Sequence, residues 1–509
     1  MGKLVEEMHR EMGFVSDSTP VVTSSFLKMS EHENPSTATA DSFEDLNERY
    51  FQKLRAHYDG RQPLSFASRF YRRLLARYLN FLIPATASVY EVGSGSGFLL
   101  GLLNGSSKAG CDVSPAQVRE ASASLPEANF QTATGESVRE SGIHDVIVMA
   151  DTVNEAVDVQ KMFENALGMS DSRTRLVVTF INSLWRPFLS LARRMGCRVA
   201  MPEQNWLAPD DVRDLLELAG WEVVTFQPRI ICPLPIPLLE PLLNRFVAPL
   251  LPWLCLTNIV VARPAPTPLA HNKVSVVIPA RNEAGNIEAA IRRLPDLGPE
   301  PEIVFVEGGS RDNTWEEILR VQQAYPHLAI KAIKQPGKGK GDAVRVGFQA
   351  STGDILMILD ADLTMPPEDL PKYRDALVSG KAEFANGVRL VYPMEGQAMR
   401  FLNLCANKFF AVSFGWLLGQ SIKDTLCGTK VLTREAYNRI AANRAYFGEF
   451  DPFGDFDLLF GAAKLNLKIR DIPIRYRDRT YGDTNINRWR DGSLLFRMLF
   501  YAAMKLKFL

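Results

Sequence analysis

A chain of 509 residues with 58 Lys+Arg against 58 Asp+Glu carries no formal net charge, which argues against bulk electrostatic binding to nucleic acid. Hydrophobic residues make up 46%, ordinary for a globular protein, and the length suits two large folded parts. The six cysteines, Cys111, Cys197, Cys232, Cys255, Cys405 and Cys427, include no C-x-x-C pair, which argues against a disulfide framework or a structural zinc site and fits reduced thiols in a cytoplasm.

The N-terminal run MGKLVEEMHREMGFVSDS has acidic residues early and no apolar stretch of signal-peptide length. No stretch reaches the ~18 uninterrupted apolar residues of a spanning helix, so the expected location is cytoplasmic. Residues 1–45, rich in Ser, Thr, Pro and acid from 16 onward, read as a disordered leader. Residues 46–262 then alternate helical stretches with the strand-like runs SVYEVG, HDVIVMA, RLVVTF and NIVVA.

The run SVYEVGSGSGFLLGLL sets Glu91, Gly93, Gly95 and Gly97 between a strand and a helix. Glycine there permits positive φ and close approach of a ligand to backbone, and the helix start offers free N–H groups. A dinucleotide fingerprint needs a further glycine where Phe98 stands, which disfavours NAD. An acid at the strand end followed by alternate glycines resembles the class I S-adenosylmethionine-dependent methyltransferases. The resemblance extends to Asp112 in AGCDVS, Gly135 and Glu136 in TATGES, and Asp151 in HDVIVMADTVNEAVD. It implies a Rossmann-like α/β fold with S-adenosyl-L-methionine as cofactor. Asp112 would then take the ribose hydroxyls, Glu136 would stand by the adenine, and Asp151 by the methyl-transfer centre. No catalytic base stands out, so a non-catalytic, S-adenosylmethionine-sensing module is the alternative for this half. Trp185 and Trp206 read as core or as a cap over a methyl acceptor.

The Pro-rich stretch 263–272 reads as a linker. A second alternation fills 273–490, with the strand-like runs VSVVIPA, EIVFVEG and DILMILDAD, the pattern of a mostly parallel, doubly wound sheet. Asp360 and Asp362 stand at the tip of an apolar strand, where paired carboxylates call for a divalent cation such as Mg²⁺ or Mn²⁺. Met365 and Pro371 exclude an EF-hand. In KQPGKGKGDA, Lys338 and Lys340 alternate with glycines and offer a pyrophosphate cradle; it is not a Walker A loop.

The set IPARNE, FVEGGSRDNT, GKGKGDA, DADLTMPPEDL and IPIRYRDRTYGDTNI resembles family 2 glycosyltransferases of GT-A fold, in the dolichol-phosphate mannose synthase-like branch. The resemblance implies that Pro279, Arg281 and Glu283 line a base pocket and that Glu307 touches base or ribose. Asp360 and Asp362 would hold the metal and diphosphate, Arg389 and Arg479 would bind phosphates, and Asp455 would face the sugar. Glu307-Gly308 replaces the family's usual aspartate pair, which leaves UDP and GDP both open. Thr364 stands where a Gln is usual. The expected reaction is inverting sugar transfer to a polyprenyl phosphate at the inner face of the membrane. The alternative acceptor is a hydroxyl of a glycan or glycolipid, with Asp455, then Asp457, as base. The run at 399–419 reads as a lipid-resting or core helix, and residues 491–509 as an interfacial helix attaching the protein peripherally to membrane, its Arg497, Lys505 and Lys507 reaching for the headgroups.

Overall fold

In the computed structural model the described residues are 43–509, apart from 61–63, 141, 196–203, 390, 393–400, 448–453, 455, 478, 480 and 482–487. Helix Phe43–Asp59 comes first, so residues 43–45, read as leader, are helical. The next helix, Phe66–Leu82, starts where the Ser65 side chain accepts the Ser68 N–H, satisfying a backbone donor that a helix start leaves open. Its Leu74, Leu75, Tyr78, Leu79 and Leu82 recur at helical spacing and are buried.

Strands β1 (Ser88–Val92), β2 (Ser107–Asp112), β3 (Asn129–Thr132), β4 (Val146–Ala150), β5 (Arg175–Ile181), β6 (Trp221–Phe226) and β7 (Thr257–Pro264) form one sheet in the order β3-β2-β1-β4-β5-β7-β6. The first five are parallel, and β7 runs antiparallel to β5 and β6. This is the doubly wound, Rossmann-like sheet that the glycine turn implied, with the turn at the carboxyl end of β1, beside the point where the strand order reverses. All of β4 and nearly all of β5 are buried, as strands covered on both faces must be.

The second sheet holds β8 (Val274–Ala280), β9 (Glu302–Glu307), β10 (Ala329–Lys334), β11 (Ile355–Ile358), β12 (Phe384–Val388), β13 (Lys430–Thr433) and β14 (Ile469–Pro473), ordered β10-β9-β8-β11-β13-β12-β14. Strands β8 to β11 are parallel, and β13 is antiparallel to both its neighbours. The fold is therefore two α/β sheets of seven strands each. The apolar helix Phe401–Leu418 buries Phe410, Phe414, Leu417 and Leu418 in the core of this half, each side chain worth roughly 1.5–3 kcal/mol of burial. Helix Arg488–Leu506 docks on the same core through Leu495, Met498, Ala502, Ala503 and Leu506, and Phe508 stacks beside Phe246 and Trp416. The tail, read as an interfacial helix, is packed on the core along one face. The opposite face leaves Phe496 and Phe500 exposed beside Phe409.

The linker begins later than its composition suggests. Arg263 and Pro264 complete β7, and Arg263 is buried because it pairs with Glu222 at 2.7 Å. The stretch that follows lies against both halves: Ala265 N–H donates to Gly220 O at 2.8 Å and Leu269 N–H to Val378 O at 2.8 Å. Residues Arg49–Leu509 form one compact unit. Arg175 on β5 donates to both oxygens of Glu383 at 2.7 and 2.8 Å and to Asn466 O at 2.9 Å. Arg263 stands 3.4 Å from the same carboxylate.

Burial alone would raise the Glu383 carboxyl, yet the Arg175 and Arg263 guanidiniums hold it below the ordinary range. A carboxylate lowered in this way stabilises the fold above its unfolded value of ~4.3 and loses that contribution as pH falls through the depressed folded value. Glu383→Gln leaves the buried Arg175 guanidinium without its carboxylate, while Arg263 keeps Glu222, so it is expected to cost about 3–5 kcal/mol at neutral pH. Urea denaturation of both forms across pH checks this: the gap closes in acid, where Glu383 itself becomes neutral.

Candidate functional site

Two groups of side chains converge at the carboxyl ends of the parallel strands. In the N-terminal half, Gly93, Gly95 and Gly97 have φ of +76°, +54° and +75°, values that a side chain would strain. A Cβ on Gly93 would also collide with Thr152, whose hydroxyl donates to Val92 O at 2.8 Å. The turn is held against β2 by Gly93 and Ser94 N–H groups donating to Cys111 O. Asp112 accepts the Gly95 N–H at 2.8 Å and the Ser114 N–H at 2.9 Å, so this carboxylate shapes the turn that it borders.

Glu91 is fully buried, and neither of its carboxyl oxygens has a hydrogen-bond partner among the described residues. Burial, with Asp112 adding to it against the opposing pull of Arg72, pushes the acid up to about 8. A buried carboxyl without partners is a costly group, and beside a positive-φ glycine turn it fits a ligand that brings a cation or donors. S-adenosylmethionine meets that description. Asp151 has φ +63°; its oxygens accept Tyr71 OH at 3.0 Å and Thr179 Oγ1 at 2.8 Å. The phenol of Tyr71, also 3.0 Å from Thr257 Oγ1, is raised well above its ordinary value by burial and then by Asp151, so it stays a donor. Glu136 accepts the Val157 N–H at 2.9 Å and braces the loop after β4.

Sequence reading missed the cover of this site. Residues 50–59 of the first helix lie at the strand ends: Arg55 donates to Val113 O at 3.2 Å, Tyr50 OH to Glu155 O at 3.3 Å, and Tyr58 OH to the Glu155 carboxylate. Asp59 accepts Ser114 Oγ at 2.5 Å. The apolar–polar periodicity of that helix was the available signal. Trp185 is half-buried, and its ring N–H donates to Leu254 O at 3.0 Å. Trp206 lies under the Arg186 guanidinium.

In the C-terminal half, Asp360 and Asp362 follow β11, with Leu363 at φ +53° turning the chain. Lys340 reaches Asp360 at 2.5 Å. Gly428 lies so close to this pair that any Cβ would strike both groups. Asp362 accepts Thr364 N–H and Oγ1 at 3.1 and 2.9 Å, and Arg479 NH2 at 2.7 Å. The other arm of Arg479 is 3.3 Å from Glu283, which burial raises above the usual carboxylate range. One guanidinium thus joins the expected base-pocket acid to the expected metal-tip acid. Glu307, at the end of β9, accepts the Ser310 N–H at 2.5 Å, and Tyr481 covers Gly285 and approaches Asp312 at 3.5 Å. Pro279 is partly exposed at the end of β8, and Arg281 and Lys338 are solvent-exposed.

Two expected side chains are engaged elsewhere. Arg389 is clamped to the buried Asp424 by bonds of 2.7 and 2.9 Å and lies over Tyr476; the guanidinium expected at a phosphate holds the end of β12 instead. Asp457 pairs with Arg444 at 3.0 Å, which ill suits a base. Asp455 lies outside the described residues, next to Gly454, whose backbone packs directly on Gly341 at the start of helix Lys340–Ala350. Among the described residues no three His, Cys, Asp or Glu side chains form a metal cluster. The hard oxygens of Asp360 and Asp362 fit a divalent cation that takes its remaining ligands from water and phosphate.

The profile described as Glycosyl transferase family 2 matches residues 275–441. A dolichol-phosphate mannosyltransferase of Pyrococcus furiosus is 30% identical over 241 residues, covering 46% of this chain and 64% of that protein, so the chain spans under two thirds of its length. Glycosyltransferase AglJ of Haloferax volcanii is 30% identical over 240 residues, covering 47% of this chain and 73% of that protein. A SAM-dependent methyltransferase structure from Thermotoga maritima aligns at 16% identity and a TM-score of 0.30, covering 43% of this chain and 95% of that one; the reading of the N-terminal half rests on its own residues. Through its C-terminal half, the chain belongs to glycosyl transferase family 2.

Proposed function

We propose that the C-terminal half transfers a sugar from a nucleoside diphosphate to a polyprenyl phosphate, and that the N-terminal half binds S-adenosylmethionine and passes on its methyl group. The observation that carries the first reading is Arg479 bridging Glu283 and Asp362 while Lys340 holds Asp360. Two basic side chains stand at the carboxylate tip, ready to exchange carboxylate for phosphate oxygens when a diphosphate enters. A divalent cation between Asp360 and Asp362 would neutralise charge on the departing diphosphate. Glu283, before helix Ala284–Arg292, and Glu307, at the end of β9, would border the base pocket, with Tyr481 packed against Gly285 beside it. The name of the Pyrococcus relative supports the lipid-phosphate acceptor. A phosphate acceptor, with a second pKa of ~6, is already largely dianionic and needs placement rather than a base, in keeping with the engagement of Asp457 by Arg444.

Asp362→Asn and Asp360→Asn are each expected to lower sugar transfer at least ~10²-fold, and Arg479→Ala to weaken donor binding. Activity on radiolabelled UDP- and GDP-sugars, with Mg²⁺, Mn²⁺ or complete chelation, is the measurement. Undiminished transfer under chelation would remove the metal from the scheme.

Asp455→Asn is expected to impair sugar placement without removing a titrating base. Its pH–rate profile on undecaprenyl phosphate should parallel the wild type. Turnover on a glycan hydroxyl alone, with the basic limb lost in the mutant, would favour the other acceptor.

For the N-terminal half, a cationic ligand must displace the Glu91 proton below about 8. Affinity for S-adenosylmethionine should therefore rise with pH up to that value and level off above it. Glu91→Gln should lose this dependence, and Asp112→Ala should bind at least ~10-fold more weakly. Calorimetry on the whole chain from roughly pH 6 to 9 tests both, the Gln variant correcting for the ligand's own amine.

A further inference from the structure

Thirteen of the 24 exposed large hydrophobic side chains among the described residues lie in two short segments of the N-terminal half, 184–195 and 234–253. That concentration exceeds the scatter of single apolar residues expected on a soluble surface. In the first segment Leu184, Phe188, Leu191 and Met195 are spaced four, three and four apart, which aligns them on one stripe of helix Arg186–Arg194. An amphipathic helix normally buries that stripe, yet no residue of this one is buried, and Phe188 is 64% exposed.

The second segment presents Leu238, Leu242, Leu250 and Trp253, with Leu238 86% exposed at φ +65°. An apolar residue held outward on strained backbone calls for a compensating role. Asn244, fully buried, fixes this loop: its amide accepts the Ile231 and Cys232 N–H groups and donates to Cys232 O, each at 2.8 Å. Pro233, Pro235 and Pro237 carry no N–H, so little unpaired backbone would be carried into an apolar medium. The segments meet where Trp185 donates to Leu254 O and Asn182 to Cys255 O at 3.1 Å.

The charge pattern selects the partner. Arg186, Arg193, Arg194 and Arg245 border the apolar stripe and loop, residues 183–195 contain no acid, and Glu240 is taken up by Arg77 and Asn244. Apolar side chains ringed by arginines match the interfacial zone of a bilayer containing anionic lipid. We infer that this face of the N-terminal half docks on such a bilayer. Both segments leave the sheet where Ile181 pairs with Thr257, the edge that holds Asp151 and the Tyr71–Thr257 contact, so the docked edge is the one that would receive a methyl acceptor. The inference does not depend on the sugar acceptor proposed above.

The test is flotation of the full chain with phosphatidylcholine vesicles, with and without phosphatidylglycerol. Wild type should float with the anionic vesicles and less with the neutral ones. Phe188→Ser combined with Leu191→Ser should reduce binding at least ~10-fold, with unchanged thermal unfolding and S-adenosylmethionine binding. Phe496→Ser with Phe500→Ser, on the tail, should retain most of it. Flotation of the first variant at the wild-type level, or no flotation of the wild type on either vesicle, would overturn the inference. So would light scattering that shows a wild-type dimer and a monomeric variant, because a second copy would then be the occupant.

Discussion

Everything in the relation of the two halves depends on one guanidinium. Arg175 sits on β5 with its side chain buried, and its N–H groups reach Glu383, Asn466, Arg173 O and Thr174 O. A buried cation is tolerated only when its donors are met. Three of these five bonds go to the C-terminal half, so this guanidinium stays fully satisfied only while the second sheet is in place. Arg263, Glu222, Lys468 and Arg470 extend the same junction. Arg229, buried at the far end of the interface, donates to Lys507 O at 2.9 Å and so ties the chain terminus to the first half.

The candidate sites share one construction. Each lies at the carboxyl edge of parallel strands, where open α/β sheets leave a crevice. Non-glycine residues with positive φ mark the turns: Asp151 in one half, Asn282 and Leu363 in the other. Each also places carboxylates where a ligand's charge must complete the electrostatics. The oxygens of Glu91 have no hydrogen-bond partner by geometry among the described residues. Asp360 and Asp362 are held by Lys340 and Arg479, an arrangement a nucleoside diphosphate can exchange into without new desolvation of the cations. Among the described residues no helix is long and apolar enough to cross a membrane.

The sequence by itself determined the features that depend on neighbours along the chain. Runs of Val and Ile became β1, β4, β5, β8, β9 and β11, because buried strands need an unbroken apolar stretch. The glycines after Glu91 adopted positive φ, because little else can. The Asp360–Asp362 tip emerged just past the end of β11, where its apolar run stops. Tertiary structure alone decided which charges meet. Glu283 and Arg479 lie 196 positions apart, and nothing in local pattern distinguishes Arg479, which joins the site, from Arg389, which is drawn to Asp424. Arg263 looked like linker until β7 needed it, and only the fold decided which face of the tail helix, that of Leu495 and Met498, packs on the core. Long charged side chains reach many partners of nearly equal attraction, and only the burial that removes water selects one.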